Sequence, residues 1–299
     1  MLQSYNPRNE HIKVFIGDQL YDRKDAKVSV FDSSVQGGDA VWEGLRLYEN
    51  GILHLTAHLR RLRESAHALA FVDIPETNFI KNAISKTLLA NEMSKDVHIR
   101  LTLTRGEKVT SGMDPRLNQN GSCLIVLAEW KPLVYDNANG IRVISSSIRR
   151  NGPQYLDSKI HHANLLNNIL AKIQANFANV DAAVMLDNDG FVAELNDTNI
   201  FLIKDNQILT PNASACLPGI TRQSIIIALS RREMLCIERQ ISLTELYNAD
   251  LVFASGTMGQ LTPIVEADGR KIGNEKGRGI FVEILAMHEQ ENMNHCEMI

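Results

Sequence analysis

No apolar run in this 299-residue chain reaches membrane-spanning length, so the sequence offers no candidate transmembrane helix. No tract of lysine and arginine with interleaved aromatics is present, and the formal net charge is −4. Neither nucleic acid nor another polyanion is therefore an expected partner. There are no internal repeats and no low-complexity segments. Cysteine is scarce: Cys123, Cys216, Cys236 and Cys296 are scattered, with neither metal-ligand nor redox spacing. Cys123 and Cys236 fall inside apolar, strand-like runs and are expected to be buried free thiols, in keeping with a reducing compartment. The opening MLQSYNPRNEH is too polar for a signal peptide. The expectation is a cytoplasmic protein with no metal, membrane or nucleic-acid partner.

A hydrophobic share of 44% and a charged share of 22% are those of a globular protein, and the length favours two domains over one core. Strands are expected at 12–16 and 27–31, then a hairpin at 40–48 and 52–55 with Asn50-Gly51 at its turn. Helices follow at 56–71 and 76–93. Strands at 97–104 and 123–129 then flank a loop rich in glycine, proline and asparagine. The stretch EWKPLVYDNANG, 129–140, has a proline, then polar residues, and no periodicity, as a linker does. Beyond it, strands are expected at 141–147, 182–187, 191–194, 199–204, 207–210, 234–240 and 250–255. Helices are expected at 157–177, 220–232 and 277–289, with a frayed tail. The class is α+β, with a small domain over 1–130, a linker over 131–140 and a larger domain over 141–299. The site is expected in the cleft between the domains.

In DSKIHHANLLNNILAKIQANF, 157–177, Leu165, Leu166, Ile169, Leu170, Ile173 and Phe177 recur at helical spacing. Ser158 can cap the start. Lys159 then stands on the first turn, where a cation opposes the positive end of the helix dipole. Either Lys159 is an ordinary exposed lysine or its amine is wanted uncharged. Three other stretches bear on the choice. In LPGITRQS, 217–224, proline and glycine precede a helix whose free N–H groups make an anion site. In ASGTMGQLTP, 254–263, a strand ends in Gly-Thr-x-Gly; glycine admits a ligand to the backbone and Thr257 supplies a hydroxyl. In FVAELNDTNIF, 191–201, Glu194 ends a strand. Singly these are an ordinary helix start, an ordinary turn and a solvated carboxylate. Together they are the parts of a pyridoxal phosphate site. The lysine forms the Schiff base, and the carboxylate keeps the pyridine nitrogen protonated so that the ring acts as an electron sink.

The order of these motifs resembles that of the fold-type IV pyridoxal phosphate enzymes, which include branched-chain aminotransferases, D-amino-acid aminotransferases and aminodeoxychorismate lyases. The resemblance runs from GDAVWEGLRLYENGILHLTAHLRRLRESA to SGTMGQLTPI, nearly the whole chain. It implies a two-domain α+β fold of the D-amino-acid aminotransferase type, with the cofactor, pyridoxal 5′-phosphate, between the domains. It implies that Lys159 is the Schiff-base lysine and proton shuttle, and that Glu194 pairs with the pyridine nitrogen. By the same resemblance Arg61 of HLRRLRES holds the phosphate, Ile220 and Thr221 form its backbone clamp, and Gly256 and Thr257 make a second phosphate contact. On pattern alone Arg60, Arg61 and Arg63 are equally a solvated helix face.

The chain also departs from the family pattern. Branched-chain members carry an asparagine-tyrosine pair soon after the lysine; here Asn164 and Leu165 follow at a longer spacing. Gly37 stands where those enzymes have a tyrosine before VWEGLR, whereas Arg100 of HIRLTLTRG matches their strand arginine. Bacillus-type D-amino-acid enzymes use an Arg-x-His pair in the next loop; this loop has Arg116 in SGMDPRLN and no histidine near it. The loop and the lysine segment are similar to D-amino-acid aminotransferase-like proteins of the plant type. Arginine suits bidentate binding of a carboxylate, so Arg100 and Arg116 are candidates for the substrate carboxylate or for structural ion pairs. Trp42 and Phe31 are candidates for the side-chain pocket or for the core, and His161 and His162 read as structural. The resemblance implies ping-pong transfer of an amino group from an amino acid to a 2-oxo acid such as 2-oxoglutarate or pyruvate. A D-amino acid such as D-alanine or D-glutamate is the favoured donor, an L-branched-chain amino acid the second. Elimination of pyruvate from aminodeoxychorismate is a third activity. A homodimer is implied too, with the loop near 106–121 reaching toward the partner's site.

Overall fold

The computed structural model describes residues 4–299. The chain divides into two compact units. One holds residues 4–132 together with Ile160–Asn164 and His295–Ile299; the other holds Leu133–Lys159 and Leu165–Asn294.

The first unit is built on an antiparallel seven-stranded sheet. Its strands are β1 (Lys13–Ile16), β2 (Gln19–Asp22), β3 (Ala40–Tyr48), β4 (Gly51–Leu53), β5 (Val97–Thr104), β6 (Cys123–Trp130) and a short C-terminal strand, Cys296–Glu297. The order runs from the C-terminal strand through β4, β3, β5, β6 and β1 to β2. Alternation along β5 buries Val97, Ile99, Leu101 and Leu103 and leaves His98, Arg100 and Thr102 on the opposite face. The buried face packs on α2 (Leu55–Ala68), through Leu55, Leu59, Leu62 and Ala66, and on α3 (Thr77–Ala90), through Ile80, Ile84 and Leu88. A one-turn helix α1 (Ser33–Gly37) precedes β3 and stops at Gly38, whose φ of +67° suits glycine.

Three expectations fail in this unit. Residues 27–31 form no strand. β1 pairs instead with Gln19–Asp22 across the Gly17-Asp18 turn, a nearer partner with a smaller loop to close, and Val28 and Val30 stay exposed. Phe31 is likewise exposed rather than part of the core. The tail is tied down, because Cys296 pairs with Leu53 and the Glu297 carboxylate accepts from both the amide and the hydroxyl of Thr56 at the start of α2.

The second unit carries a nine-stranded mixed sheet. Its strands are β7 (Ile141–Ser145), β8 (Ala182–Leu186), β9 (Val192–Leu195), β10 (Asn199–Lys204), β11 (Gln207–Pro211), β12 (Cys236–Arg239), β13 (Leu251–Gly256), β14 (Gln260–Ala267) and β15 (Arg270–Lys271). The order is β12-β11-β10-β13-β14-β7-β8-β9, with β15 on β14. Both faces are covered. Along β10, Ile200 and Leu202 enter one apolar cluster, while Phe201 and Ile203 enter another with α5 (Ile220–Arg231) and α7 (Glu275–Asn294). A short α6 (Leu243–Tyr247) is closed by a Ser242–Glu245 capping box.

The expected helix 157–177 is shorter, and it faces the other way. α4 spans only Leu166–Phe177, so Ser158 caps nothing and Lys159 lies on a turn well before the helix. The intervening segment is spent on the first unit's sheet. Trp42 N donates to His161 O at 2.9 Å and Ala163 N to Ala40 O at 2.8 Å, so these groups are not available to a helix. In α4 the small residues Ala171 and Ala175 are buried, while Leu166, Ile169, Leu170, Ile173 and Phe177 are exposed. All four cysteines are free thiols. Cys216 is buried, whereas Cys123 and Cys236 are only half-buried, contrary to expectation.

Candidate active site

In the second unit the chemistry gathers around Glu194. It lies on β9 opposite Met185 and is 5% exposed. Its Oε1 accepts from Arg150 Nε at 2.5 Å and more distantly from Leu217 N at 3.4 Å; Oε2 accepts from Asn199 Nδ2 at 3.0 Å. Burial pushes the Glu194 carboxyl above its ordinary range, and Arg150 only partly opposes this. Asn199 also donates to Leu217 O at 2.8 Å, which draws the loop before α5 against the carboxylate. A Cβ on Gly219 would stand 2.0 Å from Asn199 Oδ1, so close approach requires glycine there. α5 starts one residue later, and Gly219 supplies no capping side chain. The first amides of the helix, Ile220 and Thr221, are thus left for another acceptor.

Asn199 pairs across the sheet with Ser255, which places the end of β13 in the same neighbourhood. Ser255 Oγ is buried without a hydrogen-bond partner among the described residues. A Cβ on Gly256 would meet Thr198 Cγ2 at 2.9 Å, and Thr257 opens the following turn. The stretch read as a linker braces that turn. Val134 N donates to Met258 O at 3.2 Å, and Asn137 Nδ2 donates to Gly259 O at 2.8 Å and Leu261 O at 3.0 Å. Lys159 belongs to this unit and is exposed. Its amide donates to Asp157 Oδ1 at 3.0 Å, and the buried Ser158 hydroxyl donates to the carbonyl of Asn151, the neighbour of Arg150.

In the first unit Arg61 turns inward from α2. Its Nε and Nη2 donate to the two oxygens of Glu43, each at 2.7 Å, and Nη2 lies 3.4 Å from His161 Nδ1. Arg100, on β5, stacks 3.8 Å above the Trp42 ring, and the Trp42 ring lies 4.2 Å from that of His161. Trp42 is therefore neither a core residue nor free to turn, since its Nε1 donates to His162 O at 3.1 Å. Burial lowers the Arg100 pKa, and among the described residues no carboxylate pairs with it, so a ligand carboxylate is a natural complement. Arg116 is different: it is exposed on its loop and paired with Asp114 two residues away.

The candidate residues thus form two sets, Glu194 with Ile220, Thr221, Gly256 and Thr257, and Arg61 with Arg100; Lys159 is exposed on its turn and makes no described contact with either. Arg116 joins neither. Sequence reasoning missed Arg150, Asn199 and Glu43. For Glu43 a signal was present: it alternates with Val41 and Leu45, so a carboxylate stands on an apolar strand face. For Arg150 there was none.

A family profile described as Amino-transferase class IV matches residues 40–267. Branched-chain-amino-acid aminotransferase-like protein 2 of Arabidopsis thaliana is 56% identical over 270 residues. These are 90% of this chain but 48% of the relative, so this chain spans about half its length. A putative branched-chain-amino-acid aminotransferase of Methanocaldococcus jannaschii is 38% identical over 89% of this chain and 91% of its own. Among solved structures, the T.th. branched-chain amino acid aminotransferase complexed with N-(5′-phosphopyridoxyl)-L-glutamate superposes with a TM-score of 0.83 at 29% identity. The match covers 94% of this chain and 93% of that one.

Proposed function

The chain belongs to the class IV aminotransferases, and from that membership we propose that it moves an amino group from an L-branched-chain amino acid to a 2-oxo acid. Its cofactor is pyridoxal 5′-phosphate, which when bound supplies an aldehyde and an electron-withdrawing ring. The observation that carries this is the Glu194 cluster: a carboxylate whose charge burial disfavours, beside an uncapped helix start and a glycine turn with an orphaned hydroxyl. Those residues fit the cofactor's chemistry. Glu194 would hold the proton on the ring nitrogen. The amides of Ile220 and Thr221, the Gly256-Thr257 turn and Arg61 would take the phosphate. Lys159 would supply the amine and move a proton between the substrate Cα and the cofactor carbon.

The donor preference expected from sequence was a D-amino acid. Two observations favour the branched-chain alternative instead. Arg100 sits half-buried on its strand and among the described residues has no acid partner, while Arg116 is exposed, engaged by Asp114, and has no histidine beside it. The plant and archaeal relatives carry branched-chain names as well. A homodimer is also proposed, supported by the five large apolar side chains that α4 exposes, from Ile173 at 40% to Phe177 at 87%.

The test is a half-reaction. Purified protein loaded with pyridoxal 5′-phosphate is mixed with L-leucine or D-alanine, without an oxo acid, and its visible band is followed. Loss of the band with L-leucine alone supports the proposal. Loss with D-alanine alone restores the D-donor assignment. Pyruvate released from aminodeoxychorismate without an acceptor would make the protein a lyase. Lys159→Ala is expected to remove both the visible band and turnover, by about 10³-fold or more; normal turnover would end the assignment.

A further inference from the structure

We propose that Glu43 is a positioning residue that fixes the Arg61 guanidinium and the segment following Lys159 in one arrangement, and that preference for a phosphorylated cofactor depends on it. This rests on the cofactor reading above.

Glu43 is fully buried on β3 between Val41 and Leu45. Three side chains converge on it. Arg61 donates through Nε and Nη2 to the two different oxygens, each at 2.7 Å; His58 Nδ1 lies 2.7 Å from Oε2; His161 Nδ1 lies 3.2 Å from Oε1. A guanidinium is planar, so bonds to both carboxylate oxygens fix its plane as well as its charge. Arg61 therefore leaves α2 in a defined direction, whereas Arg60 beside it is exposed and pairs with Glu64 one turn on.

The same carboxylate reaches the lysine segment. His161 is two residues beyond Lys159, and its backbone is already hung on β3 by the bond from Trp42 N. His161 N also donates to Ser65 Oγ of α2 at 3.1 Å. The imidazole thus sits between Glu43 and the Trp42 ring, and Arg100 stacks on the far side of Trp42. One buried carboxylate is in contact with the candidate phosphate arginine and with the anchor of the lysine segment. Through Trp42 it adjoins the candidate substrate arginine.

The test compares two ligands that differ only in the phosphate. Dissociation constants for pyridoxal 5′-phosphate and for pyridoxal are measured on apoprotein, wild type and variants. Glu43→Gln is expected to weaken pyridoxal 5′-phosphate by about tenfold or more and pyridoxal by less than about threefold. His161→Asn, which leaves Arg61 its carboxylate, is expected to shift the ratio in the same direction by a smaller factor. Equal weakening of both ligands by Glu43→Gln would overturn the proposal, because Glu43 would then only support the fold. If Glu43→Gln does not fold, an unchanged ratio in His161→Asn overturns it. Arg61→Ala separates the two levels. A wild-type ratio in that variant means that Arg61 does not hold the phosphate. A collapsed ratio there, beside a wild-type ratio in Glu43→Gln, overturns the positioning role alone.

Discussion

Each unit buries one glutamate against one arginine, and the two pairs differ in what they leave undone. Glu43 meets both forks of Arg61 and two imidazoles. Burial works against its charge, but His161 and Arg61 outweigh it and hold the carboxyl well below its ordinary range; because burial also lowers the His161 pKa, Arg61 is the lasting cation of the set. Glu194 meets Arg150 through Nε, a neutral amide from Asn199 and a long bond from Leu217, and Asp197 adds like charge. Burial wins, and its carboxyl is held above the ordinary range. The first pair is electrostatically complete and serves as an anchor. In the second, burial outweighs Arg150 and disfavours the carboxylate's charge, which suits the proposed role of Glu194 beside a protonated ring nitrogen.

Breaking the complete pair should cost most. Glu43→Gln leaves the Arg61 cation in the interior without its counter-ion, and removing one partner of a buried pair costs about 3–5 kcal/mol. Chemical denaturation is the measurement; a loss below about 1 kcal/mol would mean that water reaches the pair. Glu194→Gln should divide differently, since its charge is poorly compensated already. A small change in stability is expected, with kcat reduced by about 10²–10³-fold because the ring nitrogen loses its carboxylate. Equal stability losses in the two variants would erase the contrast.

Each pair was half legible in the sequence: Glu194 and Arg61 were read from their motifs, whereas their partners Arg150 and Glu43 were not. Glu194, Gly219, Ile220 and Gly256 lie in short local motifs, whose glycines and strand ends mark close backbone approach without knowledge of the fold. Glu43, His58 and His161 meet only because β3, α2 and the segment after Lys159 converge, and no local pattern records that. The helix 157–177 shows a second limit. Periodicity located an apolar face on α4 correctly but could not say that the alanine face turns inward. Nor could it say that β3 would claim the backbone of 160–164. Strand 27–31 failed for the same kind of reason, since alternation does not supply a pairing partner. The α+β class, most strand positions and the cofactor class were nevertheless readable.

The two carboxylates should also pull stability in opposite directions with pH. A depressed folded-state pKa contributes stability above the ordinary carboxylate value near 4.5, and that contribution is lost as pH falls toward the folded value. Glu43 therefore adds to acid instability. A raised folded-state pKa does the reverse: the folded protein binds the extra proton, so stability falls as pH rises from about 4.5 through the folded value. The apoprotein of Glu194→Gln should accordingly lose less melting temperature over that rise than wild type, and Glu43→Gln should lose less on acidification below it. Bound cofactor should cancel the Glu194 difference, because a cation then faces the carboxylate. Parallel melting curves for wild-type and Glu194→Gln apoproteins would show that Glu194 titrates normally.

The smallest expected effect lies in Asn199, the residue that makes the Glu194 pair specific. Its amide joins Glu194 to Leu217 O, and its oxygen fills the space above Gly219. Asn199→Ala removes two hydrogen bonds and should cost about 1–2 kcal/mol. Gly219→Ala alone should cost about 1–3 kcal/mol through overpacking, because a Cβ would collide with Asn199 Oδ1 and the asparagine is held in place from two sides. Gly219 has φ −63°, which alanine adopts freely, so the backbone itself raises no objection. In the double variant the collision is gone. Gly219→Ala should then be neutral or slightly stabilising, because alanine loses less chain entropy than glycine on folding. The double-mutant cycle should show a coupling of about 1 kcal/mol or more. Additive losses would mean that the 217–219 loop is not held against Glu194 by Asn199, and the uncapped start of α5 would then need another reason for its place.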